Sequence, residues 1–234
     1  MRRQGRRATA LATLGRRRPR FRHNQSGILE LAEVGCVGVP TFCEKNETLV
    51  RQGARSRYAY GVVSGVLRAY RLLPNGRRHI TGYLMPGSFF GLEHAKAYGR
   101  SVDAITDASL LRYERRSFET LLEQQPRARS VIFGIMSNAL LEAENQQIVV
   151  GQTGGLGRLA RFLLYLADRQ PGSGRNEKIV VPLPMNLRDI SDHLCLRLET
   201  VSRFFADLTD RRIVSRPNPH NVILLRRHAL EKLH

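Results

Sequence analysis

The apolar pattern changes period near residue 117, and one layer of secondary structure cannot satisfy both halves. From about residue 46 to 115 the chain reads as short strands with turn punctuation: TLVRQG (48–53), RYAYGVVSG (57–65), VLRAYRLL (66–73) and RHITGYLM (78–85), then SFFGL, SVDAIT and SLLRYER. Leu73-Pro74-Asn75-Gly76 has the composition of a tight turn, since proline presets φ and Asn-Gly accepts positive φ. Pro86-Gly87 turns the chain again. Closely spaced strands with glycine turns predict a β-barrel or jelly roll. Beyond them SFETLLEQQ (117–125) predicts a short helix, and Pro126 suits the first turn of another that runs to about Val150.

In that second helix Ala128, Ile132, Ile135, Ala139, Glu142 and Gln146 form one heptad-like seam. Val131, Phe133, Met136, Leu140 and Ala143 fall on adjoining faces. A long helix apolar over more than one stripe predicts packing on its own domain and on a partner helix, hence a homodimer. Ile132, Ile135, Ala139, Glu142 and Gln146 are the expected partner-facing positions; a single buried helix in a monomer is the alternative. GQTGGLG (151–157) reads as a hinge, LARFLLYLADR (159–169) as a helix, QPGSGRNE (170–177) as a loop and KIVVPL (178–183) as a strand. The expected organisation is therefore α+β. A basic arm (1–24) precedes a jelly-roll domain (25–125), a dimerisation helix (126–152) and a small C-terminal α/β unit (153–234).

The formal charge is +18, with 38 basic against 20 acidic residues. Such a balance points to a polyanionic partner, nucleic acid first and an anionic membrane surface second. Nine arginines and no acid lie in residues 1–23. That segment reads as a disordered arm or a misassigned start, as an arm for the DNA backbone, or as an organelle presequence. No apolar run approaches the roughly 18–20 residues of a membrane span, and no secretory signal follows the arginines. Three cysteines, Cys36, Cys43 and Cys195, make no disulfide framework and fit a reducing cytoplasm. They cannot supply the four thiolates of an iron–sulfur cluster, and no cofactor is expected. No Ser/His/Asp order, P-loop or metal cluster supports an enzyme.

The stretch LPMNLRDISDHLCLRLETVSRFF (183–205) carries the most specific signal. Asn186 is a good N-cap for LRDISDHL, and Asp189 at the third helical position favours the positive helix end. Ile190 and Leu194 form the apolar side, and Cys195-Leu196-Arg197 makes a turn where glycine is usual. A second helix, from about Leu198 to Asp210, turns Val201, Phe204, Phe205 and Leu208 inward. Glu199, Thr200, Ser202, Arg203 and Ala206 are left toward solvent or ligand. This is the pattern of a recognition helix whose N-terminal residues enter the major groove. Arginine can bond guanine bidentately, and glutamate can accept from cytosine. RRIVSRPNPHNVILLRR (211–227) then reads as a hairpin, a wing beside the helix-turn-helix.

Four stretches, LVRQG with YGVVSGVLRAYRLLPNGRRHI, PGSFFGLE, LPMNLRDISDHL and LETVSR, resemble the Crp/Fnr superfamily of bacterial transcription regulators, and within it the FixK-like branch of microaerobic and nitrogen-fixation regulators. The resemblance covers residues 30 to 230. It implies a jelly-roll sensor, a long dimerisation helix and a winged helix-turn-helix. It further implies a cytoplasmic homodimeric activator that binds double-stranded DNA at TTGA…TCAA palindromes and recruits RNA polymerase. Glu199, Ser202 and Arg203 would contact bases, and Arg188, Arg197 and Thr200 the backbone. Members that bind cyclic AMP use a Gly-Glu pair and a following Arg-Ser/Thr pair. Here Gly91-Leu92-Glu93 puts leucine in the glutamate place, so Glu93, Arg100 and Ser101 would be a vestigial ligand pocket. FixK-like relatives commonly need no small ligand. Two gated alternatives stay open: cyclic-nucleotide control, and redox control through Cys195 beside the phosphates. The bland reading of Cys195 is a small residue filling a turn.

Overall fold

The computed structural model describes residues 25–92, 96–152, 154–170 and 178–233. The basic arm, Glu93 and most of the 170–177 loop lie outside the described residues. Helix α1 (Gln25–Glu33) leads into eight strands: β1 (Val39–Cys43), β2 (Thr48–Val50), β3 (Tyr58–Ser64), β4 (Leu67–Leu72), β5 (Arg78–Leu84), β6 (Phe89–Phe90), β7 (Ser101–Ala104) and β8 (Ala108–Glu114). They form two antiparallel four-stranded sheets, ordered β1-β8-β3-β6 and β2-β7-β4-β5. This is the jelly roll that the closely spaced strands predict. Its interior is filled by side chains such as Tyr60, Leu67, Phe90, Tyr98 and Leu110. Tyr60 and Phe90 stack at 5.1 Å, and the Tyr98 hydroxyl donates to the Tyr58 carbonyl at 2.8 Å. The turn from β3 to β4 needs Gly65: its φ is +88°, and a Cβ there would sit 2.4 Å from the Asp107 carbonyl oxygen.

Helix α2 (Arg115–Gln124) is capped by Glu114, which accepts from the Ser117 N–H at 2.8 Å. Helix α3 (Pro126–Gln152) follows after one extended residue. The N-terminal half of the seam expected to face a partner faces the chain itself, while Ala139 and Glu142 stay exposed. Ala128, Ile132 and Ile135 are buried against α1, Phe118 and Tyr113, and Glu142 pairs with Arg169 of the next helix. Hydrophobic burial claims that half within one chain, because α2 and α1 lie beneath it. The free apolar stripe is the adjoining one: Phe133, Met136 and Leu140 are 73%, 52% and 61% exposed. Ala139, on the expected seam, is exposed beside it, and the Gln146 side chain lies outside the described residues.

The glycine-rich stretch is not all linker. Helix α3 extends to Gln152 and helix α4 (Gly155–Asp168) begins three residues later. Gly155 opens that helix at a point where α4 packs too closely for a side chain: a Cβ would lie 2.8 Å from the Phe204 ring and 3.1 Å from Leu196. Strand β9 (Ile179–Pro182), helices α5 (Leu187–Leu194) and α6 (Leu198–Asp210), strands β10 (Val214–Asn218) and β11 (Asn221–Leu224), and helix α7 (Arg227–Glu231) complete the chain. The strands form one antiparallel sheet, β10-β11-β9, which is the wing. The core under α4, α5 and α6 does not stop at the domain edge. It continues into Val66, Ile80, Tyr83, Met85 and Ile105 of the jelly roll.

Candidate nucleic-acid interface

Helices α5 and α6 place their N-termini side by side, and the reason is local. Asn186 caps α5, its side-chain oxygen accepting from the Asp189 N–H at 2.8 Å. At the other end Cys195 adopts a left-handed conformation, φ 54° and ψ 43°, which reverses the chain after only eight helical residues. Arg197 then opens α6 with an extended backbone and no side-chain cap. The first N–H groups of α6 are thus left for water or an anionic ligand, at the positive end of the helix. Val201, Phe205 and Leu208 are buried and fix the helix roll. Glu199, Ser202 and Arg203 are turned outward and exposed.

A trough between the two helix N-termini is lined by Asn186, Leu187, Arg188, Leu198, Glu199, Ser202 and Arg203. It brings together the three residues expected at bases and one expected at the backbone. Arg197 is exposed at the helix start, and Thr200 is half-buried; neither lines the trough. Cys195 is exposed, but its Sγ faces His79 Nδ1 of β5 at 3.7 Å. Bulk added to that thiol would therefore meet the sensor sheet. The expectation placed this thiol beside the phosphates; the left-handed turn sets it against β5.

Leu92, in the place of the nucleotide-binding glutamate, is half-buried and packs with the cluster around Tyr113 and Phe118. Ser101 is buried, and its hydroxyl accepts from the Gln52 N–H at 3.0 Å; Arg100 is half-buried.

The sequence does not announce how α5 is held. His193 is buried, its ring edge-on to Tyr83 and 3.2 Å from the Ile80 carbonyl. A carbonyl only accepts, so Nδ1 carries the proton. Burial pulls the His193 pKa down from 6.5 to about 4; the bond to Ile80 opposes this, and nearby His79 adds to it. Asp189, also buried, meets the guanidinium groups of Arg68 and Arg78 from β4 and β5. Burial alone would lower the Arg78 pKa, but the hydrogen bonds and charges of Asp192 and Asp189 raise it overall. Spacing on α5 could have marked Asp189 and His193 as inward-facing. Their partners, more than 100 residues earlier in the chain, carry no local signal.

A jelly roll, a long helix and a winged helix-turn-helix with an exposed recognition face define a DNA-binding transcription regulator. Residues 40–125 match the cyclic nucleotide-binding domain model, and residues 157–233 the Crp-like helix-turn-helix domain. The nitrogen fixation regulation protein FixK of Azorhizobium caulinodans is 30% identical over 200 residues, 86% of this chain and 81% of that protein. FixK of Rhizobium meliloti is 32% identical over 182 residues, 78% of this chain and 81% of that one. The solved structure of FixK2 from Bradyrhizobium japonicum matches with a TM-score of 0.77 at 31% identity, covering 84% of this chain and 97% of that one. The chain belongs to the Crp/Fnr family of transcription regulators and is FixK-like; the family consists of regulators, not enzymes. No described helix is long and apolar enough to cross a membrane.

Proposed function

We propose that this protein is a homodimeric activator that reads TTGA…TCAA-like palindromes and recruits RNA polymerase in microaerobic or nitrogen-fixation gene control. The observation that carries the reading is the trough, where Glu199, Ser202 and Arg203 stand exposed together at the uncapped start of α6. Arg203 supplies a bidentate donor for guanine, Glu199 an acceptor for cytosine N4, and Ser202 an adaptable hydroxyl. Arg188, Arg197 and Thr200 hold the helix in register through phosphates, a role that carries no sequence information. Two copies meet along Phe133, Met136 and Leu140 of α3, which the described residues of one chain leave exposed. The half-sites then lie about one helical turn apart, roughly 10 bp centre to centre. The regulatory context follows from the FixK relatives, whose names record nitrogen-fixation regulation.

Titration of a TTGA…TCAA duplex and a scrambled duplex, without any added ligand, tests the reading. The native protein should prefer the palindrome by on the order of a thousandfold or more. Arg203→Ala should lose about 1–3 kcal/mol of that discrimination while folding normally. Equal binding of both duplexes by the native protein would remove the reading.

A further inference from the structure

Helix α5 carries two carboxylates, Asp189 and Asp192, and neither lines the trough. Both are held by arginines of the jelly roll. Arg78 places Nη2 at 2.6 Å from Asp189 and 2.7 Å from Asp192, with its Nε donating to Asp192 at 3.0 Å. Arg68 places Nη1 at 3.1 Å and 3.2 Å from the two Asp189 oxygens. Its Nη2 reaches Asp103 of β7 at 3.2 Å, and Asp103 also accepts from the Tyr70 hydroxyl at 3.3 Å. The Tyr70 ring in turn lies 5.9 Å beneath the Arg78 guanidinium. Two guanidinium groups and three carboxylates thus form one connected network across the domain junction. The Asp189 side chain at its centre is only 2% exposed.

We infer that Arg68 and Arg78 are positioning residues for DNA binding, acting through Asp189 and Asp192 to set the angle of the reading head. This rests on the DNA-binding dimer proposed above. The guanidinium fork fixes direction as well as distance, because each bond must lie near the guanidinium plane. Clamping α5 on β4 and β5 also sets α6, since only Cys195, Leu196 and Arg197 separate the two helices. The jelly roll packs on α3, so the clamp relates each recognition helix to the dimer axis. Half-site separation is a geometric property of a dimer; the clamp makes it a property of four side chains that touch no base. The trough residues stay exposed while the clamp is closed, so this arrangement is compatible with DNA binding. The network also holds both α5 carboxylates against arginines, away from the trough.

The test uses the full-length dimer with Arg78→Ala, Arg78→Lys, Asp192→Asn and the Arg78→Ala/Asp192→Asn double variant. Affinity is measured on the palindrome and on duplexes with the half-sites one base pair closer or further. Arg78→Ala should weaken the native palindrome on the order of tenfold and flatten the preference for native spacing. Arg78→Lys should restore part of both. The double variant should lose no more than Arg78→Ala, because both substitutions open the same contact. A residue that merely supports folding would lower thermal stability and leave spacing preference intact. The salt slope should equal that of the native protein; a fall of about 0.9 would mean that Arg78 touches a phosphate, and would overturn the positioning role. Amide exchange without DNA should rise across residues 187–194 in Arg78→Ala. Unchanged exchange there refutes the clamp whether or not any duplex is bound, which separates its failure from failure of the DNA reading. Raised exchange with unchanged affinity and spacing preference refutes the positioning role.

Discussion

Acid should loosen this protein well above the pH at which carboxylates titrate, and His193 is the reason. Its imidazole is buried between Tyr83 and Phe162, 5.0 Å and 5.4 Å away by ring centroid, with Nδ1–H donated to Ile80. Burial lowers its pKa from 6.5 to about 4. The sign follows from proton counting. Between those two values the unfolded chain binds a proton that the folded chain refuses, so stability falls as pH drops through 6.5 and the loss is complete below 4. Each pH unit inside the window costs about 1.4 kcal/mol. That gives a loss of about 2 kcal/mol between pH 7 and pH 5, and about 3 kcal/mol in full. Glu114, held down by hydrogen bonds from Ser117, and Glu231, held down by Arg227, lose their contributions as pH falls from the ordinary value of 4.5 downward, below the range of the assay. The assay is urea unfolding at fixed protomer concentration, at half-unit steps from pH 7.5 to 5, with His193→Gln as the comparator. Glutamine retains a donor for Ile80 and cannot titrate. The variant should be less stable at pH 7, through lost ring contacts, and should show the smaller pH slope by about 2 kcal/mol over two units. Parallel curves for the two proteins would refute the assignment.

Three further outcomes follow from packing. Phe133→Glu together with Leu140→Glu should shift the sedimentation profile from dimer to monomer and weaken palindrome binding, with the helix content unchanged. Gly155→Val should destabilise the chain by about 1–3 kcal/mol in a thermal melt, because its side chain displaces the Phe204 ring and forces repacking. Cys195→Gly should raise stability by about 0.5 kcal/mol in urea unfolding, since glycine takes φ 54° without Cβ strain.

The local alphabet of the fold was legible. Glycine and proline spacing predicts the jelly roll, and the N-cap at Asn186 with inward Val201, Phe205 and Leu208 predicts the two helices of the reading head. Three elements escaped, one of them the short helix α7 beyond the hairpin. Helix α1 and strand β1 precede the region read as strands, and Val39 and Phe42 of β1 are exposed, so no buried alternation marks it. The long helix shows the deeper difficulty: periodicity identifies apolar faces but not which neighbour covers each. Ile132 and Ile135 satisfy a heptad as well as Phe133 and Met136 do; only the position of α1 and α2 decides between them. Gly155 is a parallel case, where the sequence could not tell a linker glycine from one that admits an aromatic ring. The three residues proposed to read bases could be named from sequence because they lie on one helix. The arginine clamp could not, because its partners are far apart in sequence and meet only through the fold.

The core that runs from α4 and α6 into Val66, Ile80 and Tyr83 has a consequence for anyone who wishes to exchange parts between relatives. The reading head is not a detachable cassette. A C-terminal fragment cut at residue 153 would expose the apolar surface that β5 covers and leave Asp189 without Arg68 and Arg78. A chimera that retains its own operator choice must carry the β4–β5 hairpin with it. On the positioning role proposed for Arg68 and Arg78, the unit of operator recognition is discontinuous, part of it written near residue 70 and part near residue 200.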